Sequence, residues 1–168
     1  MDTFVIVFVC TGNMCRSPMA EGIMKELILD EVDSKTENLP IKVMSAGTHA
    51  SEGSHATENA VMIAGQHGID IHLHESRLVT VEIVNNADLI LTMEKMHTDI
   101  IRQNWPHITS VYELENFGRK KYREGITAEV TDPIGMGSDA YLDVFRELKH
   151  ELERVSPIIF SMAREKCG

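Results

Sequence analysis

The sequence predicts an α/β fold: a single-domain three-layer sandwich with a central, mostly parallel four-stranded sheet and helices on both faces. Three observations point there. Continuous apolar, β-branched runs such as FVIVFV (4–9) read as strands buried on both faces. They alternate with segments of helical periodicity, the signature of parallel strands joined through helices. Finally, 168 residues of which 43% are hydrophobic suit one domain, large enough to bury roughly 70% of the surface its unfolded chain exposes.

Taken in order, the first strand is Phe4–Val9, bounded by a glycine-containing loop. Ser17 and Pro18 predict a helix start, a capping hydroxyl followed by a proline that sacrifices no useful donor. Met19, Ile23 and Leu27, with Ala20 and Met24 beside them, carry that helix to about Leu29. A polar connection over 30–40 precedes a second strand at 41–44. Thr57–His67 predicts a helix ended by Gly68, and Thr80–Asn86 a shorter one before a third buried strand at 88–93. Glu94–Asn104 predicts a helix and 110–114 a fourth strand. Tyr141, Phe145, Leu148, Leu152 and Val155 are spaced 4, 3, 4 and 3, which marks a core-packing helix. No linker or repeat divides 1–168, although 156–168 reads as an additional short helix whose IIF needs cover.

Composition narrows the function. The formal net charge is −10 and the basic residues read as scattered, so neither nucleic acid nor an anionic membrane surface is an expected partner. No apolar stretch approaches the ~20 residues of a membrane span, and the N-terminal apolar run lacks a cleavable pattern, so a cytoplasmic location is expected. Three cysteines are too few, and odd in number, for a disulfide framework, which fits a reducing compartment.

Two of those cysteines lie in VCTGNMCRSPMAEG (9–22), at the turn from the first strand into its helix. In an open α/β sheet this turn is the favoured seat for a phosphate. The loop is neither a nucleotide P-loop, lacking the lysine, nor a dinucleotide fingerprint. It holds instead C-x5-R-S, from Cys10 through Arg16 to Ser17. If the backbone of Thr11, Gly12, Asn13, Met14, Cys15 and Arg16 curls around an anion, its amides point inward. The helix N-terminus then adds positive potential, and Arg16 grips two oxygens. The same field favours a thiolate at Cys10, an in-line nucleophile beneath a phosphoryl group, with Ser17 hydrogen-bonded to it. Taken alone, a cysteine at the end of a buried strand is also ordinary packing.

VCTGNMCRSPMAE resembles the signature loop of the low-molecular-weight protein tyrosine phosphatases, C-x-G-N-x-C-R-S-P. The likeness continues in SAGT (45–48), ESRLVT (75–80), ADLILTM (87–93) and DPIG (132–135), so it covers nearly the whole chain. The resemblance implies that Asn13 braces the loop through Ser45. It also implies that Cys15 can form a disulfide with Cys10, shielding the nucleophile from irreversible oxidation; its alternative is a small apolar loop residue.

Expelling a leaving group from phosphorus needs a proton donor, and hydrolysing a cysteinyl-phosphate needs a base. Asp132, in TDPIG, is the candidate for both. Local sequence favours an ordinary turn aspartate; the resemblance, in which such a D-P loop stands before the final helix, favours the acid. Arg16 and the loop amides hold the charge. No metal or cofactor is required: His72 and His74 would project to one side of a strand, but no further ligand stands at metal spacing.

Thioredoxin-coupled arsenate reductases resemble this fold and loop, but they need later relay cysteines, and here the only later one is Cys167. A catalytically dead phosphate-binding module would not need Cys10, Arg16 and Asp132 together. Within the phosphatases, the VCTGN opening, the SAG stretch and the DPxG loop look like a bacterial branch acting on protein phosphoarginine. Ile134 and Gly135 offer none of the aromatic residues that often flank a phosphotyrosine ring. Met14 stands where that branch has threonine, and a flexible thioether packs against a ring more naturally than it solvates a guanidinium. The expectation is a protein phosphatase acting on phosphotyrosine, with Met14 and Ile134 setting specificity and phosphoarginine as the alternative. Its partner is a phosphorylated protein, and it works as a monomer or weak homodimer.

Overall fold

The computed structural model describes residues 2–35 and 37–168, so Met1 and Thr36, the latter within the expected connection over 30–40, lie outside it. Four parallel strands, β1 (Phe4–Cys10), β2 (Ile41–Gly47), β3 (Leu89–Thr92) and β4 (Val111–Glu113), form one sheet in the order β2-β1-β3-β4. Five α-helices accompany them: α1 (Arg16–Lys35), α2 (Glu58–Gln66), α3 (Val81–Asn86), α4 (Lys95–Asn104) and α5 (Ser138–Cys167).

The alternation of side chains along β1 builds the layers. Phe4, Ile6, Phe8 and Cys10 enter one core with α1, α2 and α5, while Val7 and Val9 enter a second core shared with α3 and α4. A strand with an apolar residue at every position is therefore required. All four strands point the same way, so their carboxyl ends, Cys10, Gly47, Thr92 and Glu113, line one edge.

Four expectations are corrected. α1 starts at Arg16, before the Ser17–Pro18 pair, with its first backbone bond running from Met19 N–H to Cys15 O at 3.2 Å. Pro18 sits among the first N–H groups, which have no intrahelical acceptor, while the Ser17 hydroxyl bonds to Cys10 and Asn13 rather than capping. The helix also runs past Leu29 to Lys35, its polar last turns tied by Lys35–Glu31 and Arg164–Glu31 pairs, both at 2.6 Å. Residues 156–168 are not a separate helix. α5 passes through Pro157, which has no N–H for the Glu153 carbonyl; the Ser156 hydroxyl donates to that carbonyl at 3.2 Å instead. Ile159 and Phe160 are buried in the first core. Lastly, His72 and His74 lie in a turn, not a strand, and their rings part: His72 Nδ1 meets Asp70 at 2.5 Å and His74 Nε2 meets the Asn13 carbonyl at 2.7 Å.

Candidate active site

β1 delivers Cys10 to the carboxyl edge of the sheet, where the chain turns over its neighbour β2. Gly47, the register partner of Cys10, is required there: a Cβ would come within 2.5 Å of the Thr11 carbonyl. The close approach lets Thr48 and His49 N–H donate to the carbonyls of Cys10 and Thr11 at 2.9 and 3.0 Å.

The turn closes through Asn13, whose φ of 54° lies in the left-handed region that asparagine tolerates better than most residues. Its carboxamide is buried and spent on the loop. Oδ1 accepts from Arg77 N–H at 2.9 Å; Nδ2 donates to Ser17 Oγ and to Ser45 Oγ, each at 2.9 Å. Ser45 in turn donates to Glu21 at 2.6 Å, and His74 Nε2 donates to the Asn13 carbonyl. Asn13 and Ser45, paired by resemblance in the sequence, are thus in direct contact.

Cys10 is buried, with Sγ 3.2 Å from Asn13 N and 3.0 Å from Ser17 Oγ. Because Ser17 Oγ already accepts from Asn13, its proton is free for the sulfur. Two donors therefore face Sγ and stabilise negative charge there. Arg16 is 1% exposed. One terminal nitrogen donates to the Val130 carbonyl at 3.0 Å and stands 3.1 Å from Glu94; the other is 3.3 Å from Asp132 Oδ2. Its Nε is a buried donor with no partner among the described residues.

Asp132 arrives from the other end of the chain. Val130 is held on both sides, its N–H by Met93 O at 2.9 Å and its carbonyl by Arg16. Asp132 Oδ1 then accepts from Ile134 N–H at 3.1 Å and lies 3.9 Å from Cys15 Sγ. Its side chain is 36% exposed, so solvent reaches the carboxyl group. Burial, reinforced by Cys10 and Asp132, pushes the Cys15 thiol up to about 12, which keeps it protonated at neutral pH. Thr11, Gly12 and Met14 are the loop members that reach solvent, and Ile134 is exposed beyond Asp132.

Two residues of this arrangement read in the sequence only as helix positions. Glu94, the N-cap of α4, faces Arg16. His97, fully buried, accepts from Glu94 N–H through Nδ1 at 3.1 Å, so its proton sits on Nε2 and is donated to Thr11 Oγ1 at 2.8 Å. Burial and the nearby Arg16 charge lower His97 to about 3, so the ring is neutral. The signal available in sequence was the Glu94–His97 spacing of a reciprocal cap; nothing local tied it to the loop.

Comparison with known proteins places the whole chain. The profile described as low molecular weight phosphotyrosine protein phosphatase matches residues 5–165. A protein-arginine-phosphatase of Bacillus subtilis is 37% identical over 150 residues, covering 89% of this chain and 90% of the relative. A probable low molecular weight protein-tyrosine-phosphatase, EpsP, of Ralstonia nicotianae is 36% identical over 151 residues, covering 85% and 97%. Among solved structures, a mutant of the YwlE arginine phosphatase with a phosphorylated active-site serine superposes with a TM-score of 0.81 at 31% identity, covering 93% of this chain and 95% of that one.

Proposed function

The chain belongs to the low molecular weight phosphotyrosine protein phosphatase family, a family of phosphoric monoester hydrolases, and from that membership we propose that it dephosphorylates phosphotyrosine in proteins through a phosphorylated Cys10. One convergence carries the reading: a buried thiol with two donors on its sulfur, a buried guanidinium, and a solvent-reached carboxyl group 3.3 Å from that guanidinium.

The steps balance with these groups alone. The Cys10 thiolate attacks phosphorus in line with the tyrosyl oxygen; the S–P bond forms as the P–O bond breaks, and Asp132 gives its proton to the departing phenolate. Water then attacks phosphorus and passes a proton to Asp132. The S–P bond breaks, inorganic phosphate leaves, and the thiolate is restored with Ser17 as its donor. Amides of 11–16 and Arg16, whose Nε is available to a phosphoryl oxygen, hold the transferring charge. The Asn13–Ser45 contact keeps the loop in shape throughout.

Met14 supports phosphotyrosine over phosphoarginine, since its apolar side chain stands in the solvent-reached part of the loop. Protein phosphoarginine is the second reading. Ile134, not an aromatic residue, follows Asp132–Pro133 with 57% exposure, and the Bacillus subtilis relative carries that activity in its name. Parallel kcat/KM values for a phosphotyrosine and a phosphoarginine peptide, in the natural protein and in Met14→Thr, test the choice. A phosphotyrosine preference that shifts toward phosphoarginine in the variant supports Met14 as the selector. A phosphoarginine preference in the natural protein overturns it.

The chain's expected place is the cytoplasm, and its expected state a monomer or weak homodimer. No described helix is long and apolar enough to cross a membrane.

A further inference from the structure

In a chain of net charge −10, four of the sixteen lysine and arginine residues fall in 119–123, RKKYR, so the basic residues are clustered there and not scattered as expected. The fold adds a fifth. Arg119, Lys120, Lys121, Arg123 and Arg154 line one cavity of about 690 Å³, with Ile158 as an apolar wall.

The cavity is held by buried carboxylates. Arg119 pairs with Glu151 at 2.9 Å and Arg123 with Glu115 at 3.2 Å; Arg154 pairs with Glu151 at 2.5 Å and donates to the carbonyls of Phe117 and Leu114 at 2.7 and 3.0 Å. Glu115 and Glu151 are almost wholly buried, so they orient the arginines from beneath. Lys120 and Lys121 are exposed and make no ion pair among the described residues. Five cations stand over the buried Glu115 and Glu151, and even with Glu147, raised to about 7 beside them, positive charge is in surplus in a concave, partly apolar site. The catalytic chemistry does not use it.

We propose that this cavity is a docking site for an acidic polypeptide segment of the phosphoprotein substrate, remote from the phosphorylated residue. The charge is complementary to such a segment, and the overall −10 repels a broad polyanionic surface while leaving a narrow chain free to enter. The distance sets the segment's place. Tyr141 neighbours Cys15 and Asp132, and Arg154 stands thirteen residues further along α5. At 1.5 Å per residue that is roughly 20 Å, which an extended chain spans in about six residues. Acidic residues at least about six positions from the phosphorylated one, or about eight with slack for a path over the surface, are placed to reach the cavity; those two positions away are not. The proposal rests on the phosphatase reading for the identity of the substrate, but binding to the cavity does not depend on it.

Two readouts on the full-length protein test it. A fluorescein-labelled, unphosphorylated peptide carrying four glutamates is titrated by anisotropy against the natural protein and K120E/K121E. A phosphopeptide with the glutamates eight positions away is compared in steady-state kinetics with one having them two away and with a glutamine control. The phosphopeptide kinetics are run with p-nitrophenyl phosphate as the small-substrate reference. The expected result is a KM for the distant-glutamate peptide lower by roughly five-fold than for the control, the scale of a few exposed ion pairs. kcat should be unchanged, and the gain should be absent in 0.5 M salt (roughly, a Debye length of a few Å) and in K120E/K121E. Turnover of p-nitrophenyl phosphate should be the same in both proteins. Equal KM values for glutamate and glutamine peptides, or a preference that survives charge reversal, overturn the proposal. So does Lys120/Lys121-dependent binding to anionic vesicles or RNA without any binding of the glutamate peptide. Failure to turn over any phosphopeptide while anisotropy still shows Lys120/Lys121-dependent binding overturns the phosphatase reading and leaves the acidic-segment site standing.

Discussion

Glu94 faces the buried guanidinium of Arg16 at 3.1 Å, from the first position outside α4. A carboxylate so placed, together with the Val130 carbonyl, fixes the plane of the side chain proposed to hold the phosphoryl group. Glu94→Gln keeps the size and a hydrogen bond but removes the charge that anchors Arg16. kcat should fall roughly ten- to a hundred-fold, with thermal stability changed far less. An unchanged kcat in steady-state assays would show that Val130 and Asp132 suffice.

His97 links Glu94 to Thr11, and its neutrality has a pH signature. The folded ring titrates near 3 against 6.5 in the unfolded chain. The unfolded state therefore binds more protons between those values, and stability is present above about 6.5 and lost as the pH falls toward 3. Urea denaturation across that window should show a steeper acid loss in the natural protein than in His97→Gln, which cannot charge. Because Gln can still donate to Thr11, it should retain more activity than Ala at pH 7; parallel slopes for the natural protein and His97→Gln would contradict the buried neutral ring.

Glu147 carries the opposite slope. Burial and the neighbouring Glu115 and Glu151 raise it to about 7, and it holds the proton of its hydrogen bond to Glu115. With the folded value above the unfolded 4.5, its contribution is complete below about 4.5 and disappears as the pH rises through 7. Glu147→Gln should remove that decline and raise the melting temperature at pH 8 by about 2–4 °C, equivalent to roughly 1 kcal/mol for a chain of this size. A variant that melts lower than the natural protein at pH 8 would place the proton elsewhere in the cluster.

These partners mark where the chain could be understood before folding and where it could not. The two-sided burial of β1, the loop from Cys10 to Ser17 and the heptad-like spacing of α5 are written in adjacent residues, so they are legible. Glu94 was visible only as a helix start. Its position beside Arg16 follows from the Val9–Thr92 register, which brings the ends of β1 and β3 together and has no local signature. Residues 156–168 read locally as a separate helix, because the Ser156 hydroxyl that answers the carbonyl left free at Pro157 and the core that covers Ile159 and Phe160 are not visible in adjacent residues. Arg154 joined 119–123 only through the packing of α5.

Cys15 supplies a redox test. Its thiol, held near 12, must ionise before it can attack an oxidised Cys10. After peroxide treatment, activity should return on adding a thiol, and pairing with Cys10 should quicken as the pH rises, by about tenfold per unit where thiolate supply limits the rate. Cys15→Ser should recover less, because sulfenic acid left unpaired proceeds to irreversible states. Equal recovery in the two proteins would remove any protective role.

Phosphate is proposed to pass through Cys10, with Asp132 moving the proton. An aryl phosphate with a good leaving group needs no acid in the first step, but the second step still needs a base. Asp132→Ala, mixed with p-nitrophenyl phosphate and quenched in acid, should therefore accumulate one phosphoryl group per chain on Cys10, found by intact-mass and peptide mass spectrometry and absent from Cys10→Ser. No phosphoenzyme, phosphate on another residue, or full turnover by Cys10→Ser would contradict the account.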